Sequence, residues 1–329
     1  MGGVASLPEQ EHNLVLGVDL GGTKIYTALA DHSGRVLSAV KVPTGEHAPE
    51  NVIARIVQTV EEVRHRSGID AGDICALGAG APGPLDPVRG IVHQAPNLGW
   101  HDVPLKALLE DALQLPVAVD NDANLAALGE YVYGAGRGED DMVYITVSTG
   151  IGGGLIFGGR LYHGAGGGAG EIGHMTVDPD GPLCSCGNRG CLEALASGTA
   201  IARAARELVD AGGGAAILAA AGGRAVSAET VAAAAAAGDA EASGILTAAG
   251  RVLGCGVANL VNLLNPGLVV LGGGAMQAGR LLWQAMEDEL QRRALSHPLG
   301  GVRLAPAALG SRSGVLGAVA LALRCTGTG

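Results

Sequence analysis

The chain reads as an α/β protein built from one unit used twice, with an insertion in the second copy, and three observations lead there. Strand, glycine turn, strand, turn, strand is the order over residues 14–42, and the same order returns over residues 142–162. Each copy later carries a short apolar run ending in small residues, Leu77-Gly-Ala-Gly-Ala81 and Leu271-Gly-Gly-Gly-Ala275. The second copy is longer, and its extra length is a cysteine-bearing segment followed by an Ala/Gly-rich stretch over residues 211–238.

The elements follow in order. Residues 14–19, 24–30 and 35–42 are apolar runs separated by Gly21-Gly22 and His32-Ser-Gly34, so they predict three strands. Residues 50–66 repeat with helical period and place Val52, Ile53, Ile56, Val57, Val60 and Val63 on one face. Residues 74–80 predict a buried strand running into the loop Pro82-Gly-Pro84, and residues 115–119 predict another, followed by a helix over 125–133. In the second copy, strands are expected at 142–148, 155–157 and 160–162, with the glycine-rich turn Thr149-Gly-Ile-Gly-Gly-Gly154 between the first two. The alanines of residues 211–238 propagate helix well, so this stretch is expected to form short helices broken at Gly212–Gly214 and Gly222-Gly223 rather than a linker.

Composition sets bounds. The 329 residues are 48% hydrophobic and 16% charged, which describes a globular chain with a real core. A net charge of −11 without a basic run disfavours a nucleic-acid partner. Apolar runs such as residues 231–237 are too short to cross a bilayer, and no signal pattern opens the chain, so a cytoplasmic setting without a membrane partner is expected. Met1-Gly2-Gly3-Val4-Ala5-Ser6 fits the short myristoylation pattern, which is common by chance. Aromatics make up only 2% of the chain, so a sugar site here would rest on hydrogen bonds rather than stacking.

His174, Cys184, Cys186 and Cys191 fall within eighteen residues and supply one imidazole and three thiols, a closed tetrahedral set for structural zinc. Such a metal braces a site rather than performing chemistry. The turn Gly187-Asn-Arg-Gly190 folds the last ligand back, although Cys-x-Cys is tighter than the usual spacing. The alternative is three buried thiols and an unrelated histidine. Asp19-Leu-Gly21-Gly22-Thr23-Lys24 places a carboxylate at a strand end, then glycines, a hydroxyl and an ammonium. Backbone N–H groups there would approach phosphate closely, and Thr149-Gly150 is the corresponding turn of the second copy. A plain hairpin turn is the alternative for either alone. Asp120-Asn121-Asp122-Ala123-Asn124 sits between a strand and a helix. One of its polar groups suffices as a helix cap, so a cluster of them points to a site. A carboxylate there would accept an alcohol proton during phosphoryl transfer, a task needing little basicity.

Taken together, Asp19-Leu-Gly-Gly-Thr-Lys24, Asp120-Asn-Asp-Ala-Asn124, Thr149-Gly-Ile-Gly-Gly-Gly154 and Glu171-Ile-Gly-His174 with Cys184-Ser-Cys186-Gly-Asn-Arg-Gly-Cys191-Leu-Glu193 resemble the ROK family of sugar kinases and repressors, closest to its bacterial glucokinases. The resemblance also covers Gly80-Ala-Pro-Gly-Pro84, Ala95-Pro-Asn-Leu98 and Val261-Asn-Leu-Leu-Asn-Pro266. It implies a duplicated actin-like ATPase (ribonuclease H-like) fold, two lobes around a central cleft, with the zinc-bearing insertion in the second lobe. The expected division is a small lobe over 1–121, to which a C-terminal helix over 312–329 returns, and a large lobe over 122–311 carrying the zinc motif 174–191.

By the same resemblance, Asp122 is the base for the sugar 6-hydroxyl. Asn97, Asn121, Glu171, His174 and Glu193 hydrogen-bond the other hydroxyls. Gly21, Gly22, Thr23, Lys24, Thr149 and Gly150 hold ATP phosphates, Asp19 lies near Mg²⁺, and Gly272 and Gly273 pass by the adenosine. The implied cofactors are ATP, Mg²⁺ and structural Zn²⁺, the substrate a hexose, and the assembly a homodimer or dimer of dimers. Glucose is the expected hexose, with N-acetylmannosamine, fructose, mannose or a cyclitol as alternatives. A sugar-responsive repressor is the other branch, expected to need a DNA-binding domain for which a dozen residues before the first strand are too few.

Overall fold

The computed structural model describes residues 14–326, so the Met1–Ser6 pattern lies outside the described residues. The chain forms two compact units: residues through Leu125 together with those from Gly314 onward, and Ala126–Ser313. The division falls a few residues after position 121, inside the helix that begins at Asp122, because the first turn of that helix is tied by side-chain caps to the strand before it.

The first unit contains β1 (Leu14–Leu20), β2 (Lys24–Ala30), β3 (Val36–Pro43), α1 (Pro49–Ser67), β4 (Ile74–Ala81), β5 (Leu85–Asp86), β6 (Ile91–Ala95), β7 (Trp100–Val103), α2 (Leu105–Leu113), β8 (Val117–Asn121) and the first four residues of α3 (Asp122–Tyr133), whose remainder belongs to the second unit. Its main sheet runs β3-β2-β1-β4-β8, with β1, β2 and β3 antiparallel and β4 and β8 parallel to β1; β5, β6 and β7 make a small antiparallel sheet. Helix α1 opens with proline in its first turn and ends at Gly68 in the left-handed region, φ 68°. Its buried face holds Val52, Ile53, Ile56, Thr59, Val60 and Val63. Val57, expected on that face, is half-buried instead. Thr59 takes the place because its hydroxyl is satisfied, 2.7 Å from Thr27 Oγ1 of β2 and donating to the Ile56 carbonyl.

The second unit contains β9 (Met142–Val147), β10 (Ile151–Phe157), β11 (Arg160–Leu161), α4 (Leu192–Ala196), α5 (Gly198–Asp210), α6 (Ala215–Ala221), α7 (Ala228–Ala236), α8 (Ala240–Leu264), β12 (Leu268–Gly272), α9 (Arg280–Arg293), α10 (Ser296–Gly301) and β13 (Arg303–Pro306). Its sheet runs β11-β10-β9-β12-β13. Counted from the first strand of each copy, both sheets have the order third, second, first, fourth, fifth, with the same antiparallel and parallel pairings. The echoed runs fill matching places: Leu77 lies opposite Leu16, and Leu271 opposite Ile145.

Two expectations change. The glycine-rich turn is confined to residues 148–150, and Ile151–Gly154 already belong to β10. Glycines suit that strand because another segment lies on it: a Cβ on Gly153 would come 2.3 Å from Ile172 Cδ1. Helix α8 is, contrary to the reading of the apolar runs, long and apolar enough by length and composition to cross a membrane. More than half of its apolar window is buried within the protein, and Leu246, Leu253, Val257 and Val261 belong to the core of the second unit, so α8 reads as a core helix.

The last helix, α11 (Ser313–Cys325), returns to the first unit. Its backbone lies directly on the sheet, for a Cβ on Gly78 of β4 would sit 2.0 Å from the Ala318 carbonyl oxygen. Val319, Ala322 and Leu323 pack there against Val15, Ala30 and Ala76.

Candidate active site

The turn after β1 is held from behind. Gly21 donates its N–H to the Lys24 carbonyl at 2.9 Å. The Gly21 carbonyl accepts from Thr44 Oγ1 at 2.7 Å, the Gly22 carbonyl lies 2.9 Å from His47 Nε2, and the Thr23 carbonyl accepts from Thr44 N–H at 3.1 Å. In a trans peptide the C=O and the following N–H point opposite ways, so carbonyls turned toward residues 44–47 aim the N–H groups of Gly22 and Thr23 the other way. A run of such amides is an anion-binding cradle. Asp19, at the end of β1, has its carboxyl pushed up by burial more than Lys24 and Lys41 draw it down. Gly314 makes room for it, because a Cβ there would lie 2.9 Å from its carboxyl carbon. Thr23 and Lys24 are exposed.

The cluster after β8 divides its tasks. Buried Asp120 accepts from Asn121 N–H and from Asn124 Nδ2 at 2.8 and 2.9 Å. Asn121 caps α3, its Oδ1 accepting from Ala123 N–H at 2.9 Å and Asn124 N–H at 3.3 Å, while its Nδ2 donates to the Gly83 carbonyl. That cap starts α3 three residues earlier than expected. Asp122 is then the first helical residue, partly exposed, with Oδ1 accepting from Ala123 N–H at 2.8 Å. Asn97 sits exposed on the turn between β6 and β7, and its Cβ faces Gly22, where an added Cβ would be 3.0 Å away.

In the second unit, the turn after β9 is held by the start of α5: Gly198 N–H donates to the Ser148 carbonyl at 2.7 Å and Thr199 N–H to the Thr149 carbonyl at 3.3 Å. Glu193 closes it on the other side. Its Oε2 accepts from Ile151 N–H at 2.9 Å, and a Cβ on Gly150 would lie 2.3 Å from that oxygen. Glu193 Oε1 accepts from Ser185 Oγ at 3.4 Å, which joins this turn to the cysteine-bearing loop.

In that loop the ligand atoms of His174, Cys184, Cys186 and Cys191 all lie within 4.8 Å of one another. Cys184 Sγ is 3.7 Å from His174 Nδ1, and Cys186 Sγ is 3.7 Å from Cys191 Sγ. Zinc–sulfur bonds of about 2.3 Å in a tetrahedron separate sulfurs by about 3.8 Å, so these atoms form the edges of a fitting site. Burial, then hydrogen bonding to the Cys186 and Cys184 thiols, pushes the Cys191 thiol up to about 12. The Asn188 backbone N–H draws Cys186 down. A dication at the centre would favour all three thiolates together. The sulfur-facing nitrogen of His174 is Nδ1, so Nε2 diverges from the thiols. Glu171 is exposed just before this histidine, and its carbonyl accepts the His174 N–H at 3.1 Å.

A pocket of about 250 Å³ opens beside the second turn, lined by Ser148, Thr149, Thr199, Arg206, Glu229 and Gly274 among others. Gly272 and Gly273 do not line it. Gly272 ends β12 against Tyr144, and Gly273, φ 91°, lets the loop pass the Val147 carbonyl, where a Cβ would be 2.2 Å away. Those two glycines therefore shape the approach, and Gly274 and Ala275 form the wall. Thr199, Arg206, Ser227 and Glu229 were not legible as site residues. For Thr199, Ser227 and Glu229 the signal was two helix starts, Ser197-Gly-Thr and Ser227-Ala-Glu-Thr, whose serines cap α5 and α7; Arg206 lies further along α5 and carried none.

A mixed sheet of one strand order, built twice, with a Cys₃His cluster in its second copy, defines the class of α/β protein. The ROK family profile matches residues 15–325, and the chain belongs to the ROK family. It is 40% identical over 308 residues to a glucokinase of Halalkalibacterium halodurans, covering 92% of each chain. It is 35% identical over 312 residues to a putative xylose repressor of a Caldicellulosiruptor species, covering 94% of this chain and 78% of that one. Among solved structures, a ROK family glucokinase from Streptomyces griseus in complex with glucose and AMPPNP superposes with a TM-score of 0.81 at 38% identity, over 95% of this chain and 100% of that one.

Proposed function

We propose that this protein transfers the γ-phosphoryl group of ATP to the 6-hydroxyl of a hexose, glucose first among them, on a duplicated actin-like ATPase fold. The observation that carries the reading is the doubled turn: at matching places in two sheets, carbonyls are tied back so that amides are presented to an anion. Glucokinase relatives at 37–40% identity support the sugar-kinase assignment.

In this reading Gly21, Gly22, Thr23 and Lys24 hold phosphates, as do Thr149 and Gly150. The pocket beside Thr149 takes the nucleoside, and Gly272 and Gly273 shape the loop that bounds it. Mg²⁺, held near Asp19, would neutralise phosphate charge. Asp122 accepts the 6-hydroxyl proton as that oxygen attacks phosphorus; the transition state is loose, so an ordinary carboxylate suffices. Asn97, Glu171, His174 and Glu193 accept or donate to the remaining hydroxyls, and Asn121 uses the N–H that capping and Gly83 leave over. Structural zinc on His174, Cys184, Cys186 and Cys191 would fix His174 as donor or acceptor through Nε2. A cytoplasmic setting and a homodimer or dimer of dimers complete the reading.

The test is turnover of glucose and Mg·ATP by Asp122→Asn. We expect kcat to fall about 10²- to 10⁴-fold with both KM values changed little. Wild-type turnover would remove Asp122 as the base. A panel of glucose, mannose, fructose, N-acetylmannosamine and a cyclitol, compared by kcat/KM, identifies the substrate. The 35% identity to a putative repressor keeps a sugar-responsive regulator as the second reading, which salt-sensitive, sequence-specific DNA binding would favour.

A further inference from the structure

We propose that His47 is a positioning residue that couples the sugar-side loop, residues 95–100, to the phosphate turn of the same unit. Three contacts, none of them in a strand ladder, make the link. The Trp100 indole N–H donates to the His47 carbonyl at 2.6 Å. His47 Nε2 lies 2.9 Å from the Gly22 carbonyl, a group that only accepts, so Nε2 carries the proton and donates. Gly22 in turn abuts Asn97, three residues before Trp100, where a Cβ would meet Asn97 Cβ at 3.0 Å and its carbonyl at 3.2 Å. The path is a closed ring: Asn97, Gly22, His47, Trp100 and back along the chain to Asn97.

Trp100 and the peptides around Gly22 are the fixed members of the ring. Trp100 is 2% exposed, in a chain with only two tryptophans. The neighbouring Thr44 fixes the carbonyls on either side of Gly22 through its hydroxyl and its N–H. A hydroxyl ligand drawing on Asn97 therefore pulls or pushes Gly22, and His47 limits how the Gly22 peptide rotates. Because the Gly22 carbonyl and the Thr23 N–H share one peptide plane, rotating one re-aims the other toward or away from phosphate. Sugar binding and nucleotide binding then share a coupling free energy that His47 carries.

This rests on the assignment of Asn97 to the sugar and of the 21–23 turn to the phosphates. The measurement is calorimetric titration of a non-hydrolysable ATP analogue with Mg²⁺, with and without saturating glucose. In the wild type we expect glucose to tighten the analogue about fivefold or more. His47→Ala reduces that ratio to within twofold of one. His47→Gln, whose amide still donates to the Gly22 carbonyl, restores at least half of it on a logarithmic scale. Trp100→Phe, which keeps the ring and removes the N–H, lowers it partially and decides the matter should His47→Ala fail to fold. A merely structural His47 would lower the unfolding midpoint and leave the ratio alone. A wild-type ratio near one, or an undiminished ratio in folded His47→Ala and Trp100→Phe, overturns the proposal. Asn97→Ala separates the two layers: unchanged glucose affinity would overturn the sugar assignment and the relay with it, whereas weakened glucose binding beside an unchanged His47→Ala ratio overturns the relay alone.

Discussion

The turn at residues 21–23 and the turn at residues 148–150 occupy the same place in two sheets of the same order, yet different materials hold them. The first is tied by a peripheral loop, Thr44 and His47, and its glycine faces an amide, Asn97. The second is tied by the start of α5, and its glycine faces a carboxylate, Glu193, that also reaches the cysteine-bearing loop. Register extends the contrast: three residues on from Leu16 stands Asp19, and three on from Ile145 stands Ser148. Duplication kept the backbone device and let the side chains diverge. In both copies a glycine of the turn abuts a polar side chain, Asn97 or Glu193, that the proposed function assigns to the sugar.

That contrast predicts unequal sensitivities. The largest effect is expected at Gly150→Ala, whose Cβ drives the Glu193 carboxylate off the Ile151 N–H. Since only the end of a flexible side chain must move, the fold survives, and steady-state kinetics should show kcat/KM down about 100-fold with the unfolding midpoint nearly kept. Next comes the proposed zinc. Chelation, or Cys186→Ser, should weaken glucose binding about 10- to 100-fold and lower the unfolding midpoint together. Full glucose affinity in folded, metal-free protein would detach the second turn from the zinc loop. Gly22→Ala meets Asn97 at 3.0 Å rather than 2.3 Å, so a rise in glucose KM of only about threefold is expected. An effect as large as that of Gly150→Ala would erase the asymmetry.

The smallest effect concerns Asp19, which Ser148 replaces in the other copy. Burial raises its native pKa above the unfolded value, so the folded state binds its proton more tightly. Its contribution to stability therefore declines as pH rises from the unfolded value toward the raised native one, and stays low above it. Asp19→Asn should remove that decline and raise the unfolding midpoint at pH 7 by about 2 °C while lowering Mg·ATP turnover. A lower midpoint in the variant would reverse the sign.

Much of this was legible in the amino-acid sequence because the signals were local. Hairpin strands alternating around glycine, the Cys-x-Cys…Cys spacing after His174, and an amide before Asp122 are all read from neighbours in the chain. What escaped was set by distant neighbours. Gly150 and Gly153 looked like one flexible turn, yet each is small because Glu193 or Ile172 lies against it. The pocket wall at Thr199 and Glu229 hid inside ordinary helix starts, and Arg206 within the body of α5. Thr59 displaced Val57 from the buried face only because Thr27 waits across the packing layer. His47 carries no motif at all, and its partners stand at positions 22 and 100.

The placement of α11 has a consequence for biosynthesis. The sheet of the first unit presents bare glycine backbone at Gly17 and Gly78, and the helix that covers it is encoded after the whole of the second unit. A nascent chain can finish its second unit while its first still lacks a wall. Order of translation and order of completion are thus reversed, and a ribosome that stalls after residue 313 leaves one face of β1 and β4 uncovered, a substrate for chaperones and proteases.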